Sequence, residues 1–178
     1  MRLTLLTYGN TVIIPFYLGT APDGEGRMLA GILAQDDHWL ERTHNYVQWL
    51  FPLPEPSRWN PYAPLVNDGT VQAFKTTQEL RDNLTAAYVR MLAFYGLKRA
   101  PDGTVGRAPN WPARKHWFTR DGHNSLRLTR IIKCLALLGL EDDAYALQRA
   151  LANLCVTEPD CGITATTRGH WHDALPEG

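Results

Sequence analysis

The sequence predicts an all-α fold, a single compact domain of about five to seven helices joined by long Pro/Gly-rich loops, and three observations predict it. Apolar residues recur at three-four spacing over several stretches. Helix-starting Asp, Asn, Ser and Thr stand at one end of these stretches, and Gly or Pro stands at the other. No stretch shows the period-two alternation of strands at regular intervals, and no internal repeat is present. The 178 residues, read as one domain over residues 1–178, are 44% hydrophobic, which is ordinary globular content and argues against overall disorder.

The opening stretch, Leu3 to Tyr17, holds Pro15 and scattered polar residues, so residues 1–17 are expected to form an extended, packed arm. Ala21-Pro22-Asp23-Gly24-Glu25-Gly26 is turn chemistry, and Met28 to Leu33 is a short helix that Gly31 weakens. Asp36 and Asp37 supply carboxylates at the start of a helix expected to run unbroken to Phe51 and stop against Pro52. At about 100° per residue, Trp39, Leu40, Thr43, Val47, Leu50 and Phe51 share one broad face of it, with His44 at the margin. Leu53 to Pro64 is proline-rich and reads as a rigid loop.

Asn67-Asp68 opens a helix through Lys75, and Thr76-Thr77 can cap another that extends to Tyr95 and stops at Gly96. Leu80, Leu84, Ala87, Tyr88, Met91, Leu92 and Tyr95 mark its apolar face. Arg99 to Pro112 reads as a loop. A helix from Asn124 or Ser125 ends at Gly139, and Glu141 to Leu154 forms the next. In the tail, residues 157–178, Thr164 to Leu175 is expected to form a short terminal helix.

Eighteen basic and eighteen acidic residues cancel, so no global field is available to hold a polyanion. Met1 to Leu6 is too short for a signal core, and the longest apolar run, Cys134 to Leu138, is far below the ~18 residues that span a bilayer. The three cysteines, Cys134, Cys155 and Cys161, are an odd count that argues against a disulfide framework. Cys155 and Cys161 can pair if brought together, but reduced thiols are expected. These features together predict a soluble, cytoplasmic chain.

One string is far more specific than composition: Leu40-Glu41-Arg42-Thr43-His44-Asn45-Tyr46-Val47-Gln48-Trp49-Leu50-Phe51-Pro52. A second block comprises Arg81, Ala87-Tyr88, Met91-Leu92 and Phe94-Tyr95-Gly96. A third runs His123-Asn124-Ser125-Leu126-Arg127-Leu128-Thr129-Arg130-Ile131 and continues to Leu138-Gly139-Leu140. With Asn60, Ala63 and Asn110-Trp111 between them, these ordered blocks resemble the conserved region of the opioid growth factor receptor family over about Phe16 to Leu151. The resemblance implies a minimal, bacterial-type version of the domain, without the long repetitive tails or nuclear-localisation run of the animal receptors. It implies a receptor-like role in peptide binding and signalling, whereas animal relatives are implied to be nuclear or membrane-associated.

Three constellations are candidates for chemistry. Glu41, Asn45 and Gln48 at i, i+4 and i+7 would share a helical stripe beside Trp49, a few polar anchors against an aromatic wall. The alternative is that these groups satisfy backbone of the proline-rich loop. His44 titrates near neutrality and, oriented by Glu41, suits a general base; a hydrogen-bonded core histidine is the competing reading. His123, Asn124, Arg127 and Arg130, with Lys133, form a basic stripe near a helix N-terminus that could clamp a carboxylate or phosphate. An arginine there can equally brace Glu41 or a loop carbonyl through its fork.

His170-Trp171-His172 lacks the spacing of a zinc site, and no phosphate-cradling glycine loop is present, so neither a metal nor another cofactor is expected. The leading expectation is a binding module for an unidentified peptide or protein ligand, in a groove between the signature helix and the Arg127–Lys133 helix. A small hydrolase or transferase using His44, Glu41 and Arg130 is the alternative. Nucleic-acid contact through the Arg127–Lys133 helix and Trp117 comes third, disfavoured by the balanced charge.

Overall fold

Ile13, Phe16 and Tyr17 recur at helical spacing, and the chain uses that spacing from its first described turn. The computed structural model describes residues 8–176, with side chains from residue 12 onward. The architecture is predominantly helical, with ten α-helices and one two-stranded ribbon among the described residues. The chain divides into two compact units, Met1–Ala87 and Tyr88–Gly178.

The first unit opens with α1 (Tyr8–Tyr17), where an extended arm was expected; Leu3 to Thr7 of that arm lie outside the described residues. Pro15 lies in the last turn of α1. An interior proline costs a helix about 3 kcal/mol. Burying Ile13, Phe16 and Tyr17 completely, at about 1.5–3 kcal/mol each, outweighs that cost. α2 (Leu29–Leu33) follows, burying Leu29 and Ile32.

The helix expected to run unbroken to Phe51 is two helices, α3 (Asp37–Arg42) and α4 (Val47–Leu50). Asp36 caps α3 by accepting from the Trp39 amide at 2.7 Å. Thr43 then leaves the helix with extended backbone, φ −93° and ψ 133°. Thr43, His44, Asn45 and Tyr46 are all weak helix formers, so tertiary bonds decide their course.

The proline-rich segment closes on itself, with Leu53 bridging Leu65 and the Val66 amide donating to the Leu53 carbonyl at 3.3 Å. α5 (Asp68–Thr76) is capped by Asn67, which accepts from the Thr70 amide at 2.9 Å. It packs on α1 through Phe74 and Tyr17, whose rings meet edge-on at 5.0 Å. Asn83, early in α6 (Gln78–Tyr95), donates to the Tyr17 carbonyl at 2.7 Å.

The second unit starts within α6, which stops at Gly96 as its sequence requires, φ +75°. A Cβ there would lie 2.8 Å from that of Arg114 and 3.1 Å from the Trp111 Cα, so glycine is needed twice over. The segment from Arg99 onward, read as loop, contains a ribbon: β1 (Leu97–Arg99) pairs antiparallel with β2 (Val105–Arg107). Strands of three residues are too short to display alternation. Their turn is held by Asp102, whose carboxylate accepts from the Thr104 amide at 2.9 Å and its hydroxyl at 2.7 Å.

α7 (Trp111–Arg114) and a 3₁₀ turn (Lys115–Phe118) then fold an aromatic cluster. The Trp117 ring meets Tyr95 at 5.0 Å, Phe118 at 5.2 Å and Trp111 at 6.0 Å. α8 (His123–Leu137) and α9 (Glu141–Thr157) pack together across a connection containing Gly139, φ +92°. The terminal helix expected after Thr164 is present as α10 (Ala165–His172), and Thr164 caps it by accepting from the Thr167 amide at 3.2 Å. No helix among the described residues is long and apolar enough to cross a membrane.

Candidate functional site

Asp23, in the turn before α2, organises the first group of nominated residues. Its carboxylate is 5% exposed overall as a residue and accepts from the Glu25 amide at 2.9 Å and the Arg27 amide at 2.8 Å. The Arg27 Nε donates to the other oxygen at 2.7 Å. Arg27 Nη1 then donates to Asn45 Oδ1 at 3.0 Å, and the guanidinium lies over the Trp39 ring at 5.5 Å. Arg27 therefore ties the 23–27 turn to the break between α3 and α4. Sequence reasoning missed both Asp23 and Arg27. The signal was present in an aspartate at a turn with an arginine four residues on, a spacing that suits a side chain closing its own turn.

Tyr46 completes the break: its hydroxyl donates to the Leu40 carbonyl at 2.9 Å, and its ring stands 5.2 Å from that of Trp39. With α3 ended at Arg42, Glu41, Asn45 and Gln48 do not share one helical stripe, and His44 does not lie a helical turn after Glu41. His44 is exposed rather than a core histidine; Glu41 is half-buried. Asn45 serves Arg27. Gln48 is 8% exposed, and its buried Oε1 has no hydrogen-bond partner among the described residues. Trp49 is a core side chain at 9% exposure, edge-on to Phe16 at 5.2 Å, and not the wall of an open pocket. Replacing Asn45 by Ala removes a charge-assisted bond that holds the break, and should cost about 1–2 kcal/mol in a denaturant titration. An unchanged midpoint would show that Arg27 does not depend on it.

The second group lies on α8. His123 is exposed, whereas Asn124 and Arg127 are 6% exposed and bonded to each other, Arg127 Nη1 donating to Asn124 Oδ1 at 3.3 Å. Arg130 and Lys133 are half-buried. The expected basic stripe is thus graded, its first arginine sunk in the helix packing. Leu126, within the same block, is 55% exposed.

The chain's own Asp121 stands before the helix. It accepts from the Ser125 hydroxyl at 3.3 Å and the Thr164 amide at 3.2 Å. Partial burial works against its ionisation, but bonds from Thr164, Thr167 and Ser125 outweigh this and hold the carboxyl below its usual range. Trp171 packs onto the same helix, its indole N–H donating to the Ser125 carbonyl at 3.1 Å. Trp117, nominated for nucleic-acid contact, is 5% exposed, and its N–H donates to the Tyr95 carbonyl at 3.0 Å.

Two further features carry none of the nominated residues. A groove of about 320 Å³ runs between the β1–β2 turn and α9, lined by Asp102, Thr104, Asp142, Arg149 and Asn153 among others. In the first unit, the proline-rich loop presents Trp59 at 80% and Tyr62 at 92% exposure. Asn60 shapes this loop, its side-chain oxygen accepting from the Tyr62 amide at 3.2 Å and its carbonyl from the Ala63 amide at 3.1 Å.

Fold and side-chain geometry together define a predominantly helical module in which Asn45, Asn124 and Arg127 of the signature blocks are engaged by the chain's own side chains. The chain belongs to the opioid growth factor receptor family: the conserved region of that family matches residues 14–162. It is 47% identical to the opioid growth factor receptor of Rattus norvegicus over 105 residues, 57% of this chain and 18% of that protein. The human receptor is 46% identical over 105 residues, covering 57% of the chain and 15% of the receptor. Opioid growth factor receptor-like protein 1 of Mus musculus is 43% identical over 120 residues, 67% of this chain and 26% of that protein. The alignments thus span about a quarter or less of these relatives' length. No solved structure matches the chain.

Proposed function

We propose that the chain is a binding module that recognises a peptide or protein segment in a regulatory role within the cytoplasm. The observation that carries this reading is the pair of exposed aromatic rings, Trp59 and Tyr62, on the loop between Leu53 and Leu65. Trp, Tyr and Arg dominate the energetics of protein contacts, and both rings here are open to a partner. Here Arg58 is the neighbour of Trp59, and prolines with the Asn60 turn already restrict the backbone. Such preorganisation lowers the entropy that binding must overcome.

Family membership supports the same reading, since the curated relatives are named as growth factor receptors. Of the residues nominated from sequence, exposed His44 and His123 are the ones a ligand reaches directly. Glu41, Asn45 and Arg130 are half-buried, and Gln48, Trp49, Asn124 and Arg127 are buried.

Selection of a random-peptide library against the immobilised chain tests this. Enriched peptides should bind at least about tenfold more weakly to a Trp59→Ala/Tyr62→Ala double variant whose helical circular dichroism is intact. Peptides that bind the variant equally well would remove the loop from the site. No enrichment over an unrelated helical domain would remove peptide recognition itself.

A further inference from the structure

Beyond ligand recognition, the second unit holds two thiols whose placement has a chemical consequence. Cys155 lies in the last turns of α9, and Cys161 lies just past the turn that ends that helix; both are half-buried, and both are free thiols. The turn returns the chain on itself: the Glu158 amide donates to the Leu154 carbonyl at 2.9 Å, and the Cys161 amide to the Glu158 carbonyl at 3.3 Å. This brings the two thiols into hydrogen-bonding contact. The third cysteine, Cys134, is wholly buried in α8.

The turn is held from both ends. Glu158, 9% exposed, pairs with Arg107 and lies 3.8 Å from Lys115, which also reaches Asp160 at 2.8 Å. The Gly162 amide donates to the Phe118 carbonyl at 3.0 Å, and the Thr164 amide to Asp121 at 3.2 Å. A disulfide demands close, correctly aimed side chains, and most cysteine pairs fail because the backbone must move to join them. In this turn the backbone anchoring already exists, from the Glu158 and Cys161 amides on one side and the Gly162 and Thr164 amides on the other.

We infer that Cys155 and Cys161 form a reversible intramolecular disulfide, an oxidative modification site that staples the end of α9 to the tail carrying α10. Glutathione disulfide is a sufficient oxidant. The Cys161 thiolate attacks one of its sulfurs, forming a mixed disulfide and expelling one glutathione thiolate. Cys155 passes its proton to solvent base and attacks the Cys161 sulfur, closing the protein disulfide and releasing a second glutathione. The two protein thiols are oxidised and the glutathione disulfide is reduced to two thiols. This order follows from the setting of Cys155. Burial, the bond with Cys161 and its nearby charge push the Cys155 thiol up to about 12, with Arg168 opposing and Asp121 reinforcing the shift. Cys155 therefore keeps its proton at neutral pH and acts as the resolving thiol.

Incubating the folded full chain in glutathione buffers of increasing oxidised fraction, then denaturing it in the presence of an alkylating agent so that every thiol is trapped, tests the inference. Intact mass and peptide mapping should show two thiols lost together, the Cys155 and Cys161 peptides joined within one chain, and Cys134 still alkylated. The oxidised form should melt about 5 °C higher, and reductant should reverse the shift. A Cys155→Ser variant lacks the resolving thiol, so Cys161 should accumulate as a glutathione adduct. Three alkylated thiols at every glutathione ratio in folded wild-type protein would overturn the inference, as would links confined to separate chains. An unmodified Cys161 in Cys155→Ser would overturn the proposed order of attack.

Discussion

Trp117→Ala should lower the melting temperature by about 10 °C, the largest single-residue effect expected in the second unit. Truncating a buried tryptophan typically costs about 3–5 kcal/mol, and about 2–4 °C accompanies each kcal/mol in a chain of this size. Trp117 is 5% exposed, and its ring meets three other aromatic rings in edge-on geometry. Its indole N–H also satisfies the Tyr95 carbonyl near the end of α6. Two contributions can be separated. Trp117→Phe keeps most of the ring contact but loses the bond to that carbonyl, which should cost about 1 kcal/mol. A calorimetric melt of Trp117→Ala within a degree or so of the parent would show that the aromatic cluster is not the keystone of this unit.

Gly162→Ala should be nearly as damaging, for a steric reason. A Cβ at this position would stand 1.8 Å from the Thr119 carbonyl oxygen, 2.4 Å from its carbon and 2.9 Å from the Arg120 nitrogen. These are backbone atoms, so no side chain can swing aside. The tail must separate from the 118–120 segment and lose the bond from the Gly162 amide to Phe118. Overpacking of about 1–3 kcal/mol and a lost hydrogen bond of about 1 kcal/mol combine to a fall of about 8 °C. Gly169→Ala is the control: its Cβ meets nothing within 4 Å and it lies inside α10, so alanine should be neutral or stabilising by up to about 1 kcal/mol. Equal melting temperatures for the two variants would contradict the close approach at Gly162.

Much of the fold was legible because helix ends are local events. Asp36, Asn67 and Thr164 each accept the backbone amide that a capping residue is expected to accept. Gly96 and Gly139 take positive φ where helices stop. The apolar face read from Leu80 to Tyr95 is buried throughout, because three-four spacing and a packed face are the same geometric fact. The family was legible for a related reason, since its blocks coincide with these helices and their ends.

The candidate site was less legible. His44 was read beside an apolar face and is exposed; Arg127 was read as either an anion clamp or a structural brace and is buried against Asn124. Both readings assumed regular helices with uniform faces. Helical periodicity says which residues share a side, but not how deeply a neighbouring element covers that side.

By itself, then, the amino-acid order determined the helical class, the caps and stops, and the family. Only tertiary structure decided where a long apolar pattern would break and which polar groups would be sunk. The 37–50 segment shows why. Its periodicity permits one helix, but Thr43 to Tyr46 hold it only weakly. A guanidinium from eighteen residues earlier and a tyrosine hydroxyl reaching back to Leu40 supply bonds that a continuous helix would forgo. Such partners are distant along the chain, and no pattern within the segment specifies them.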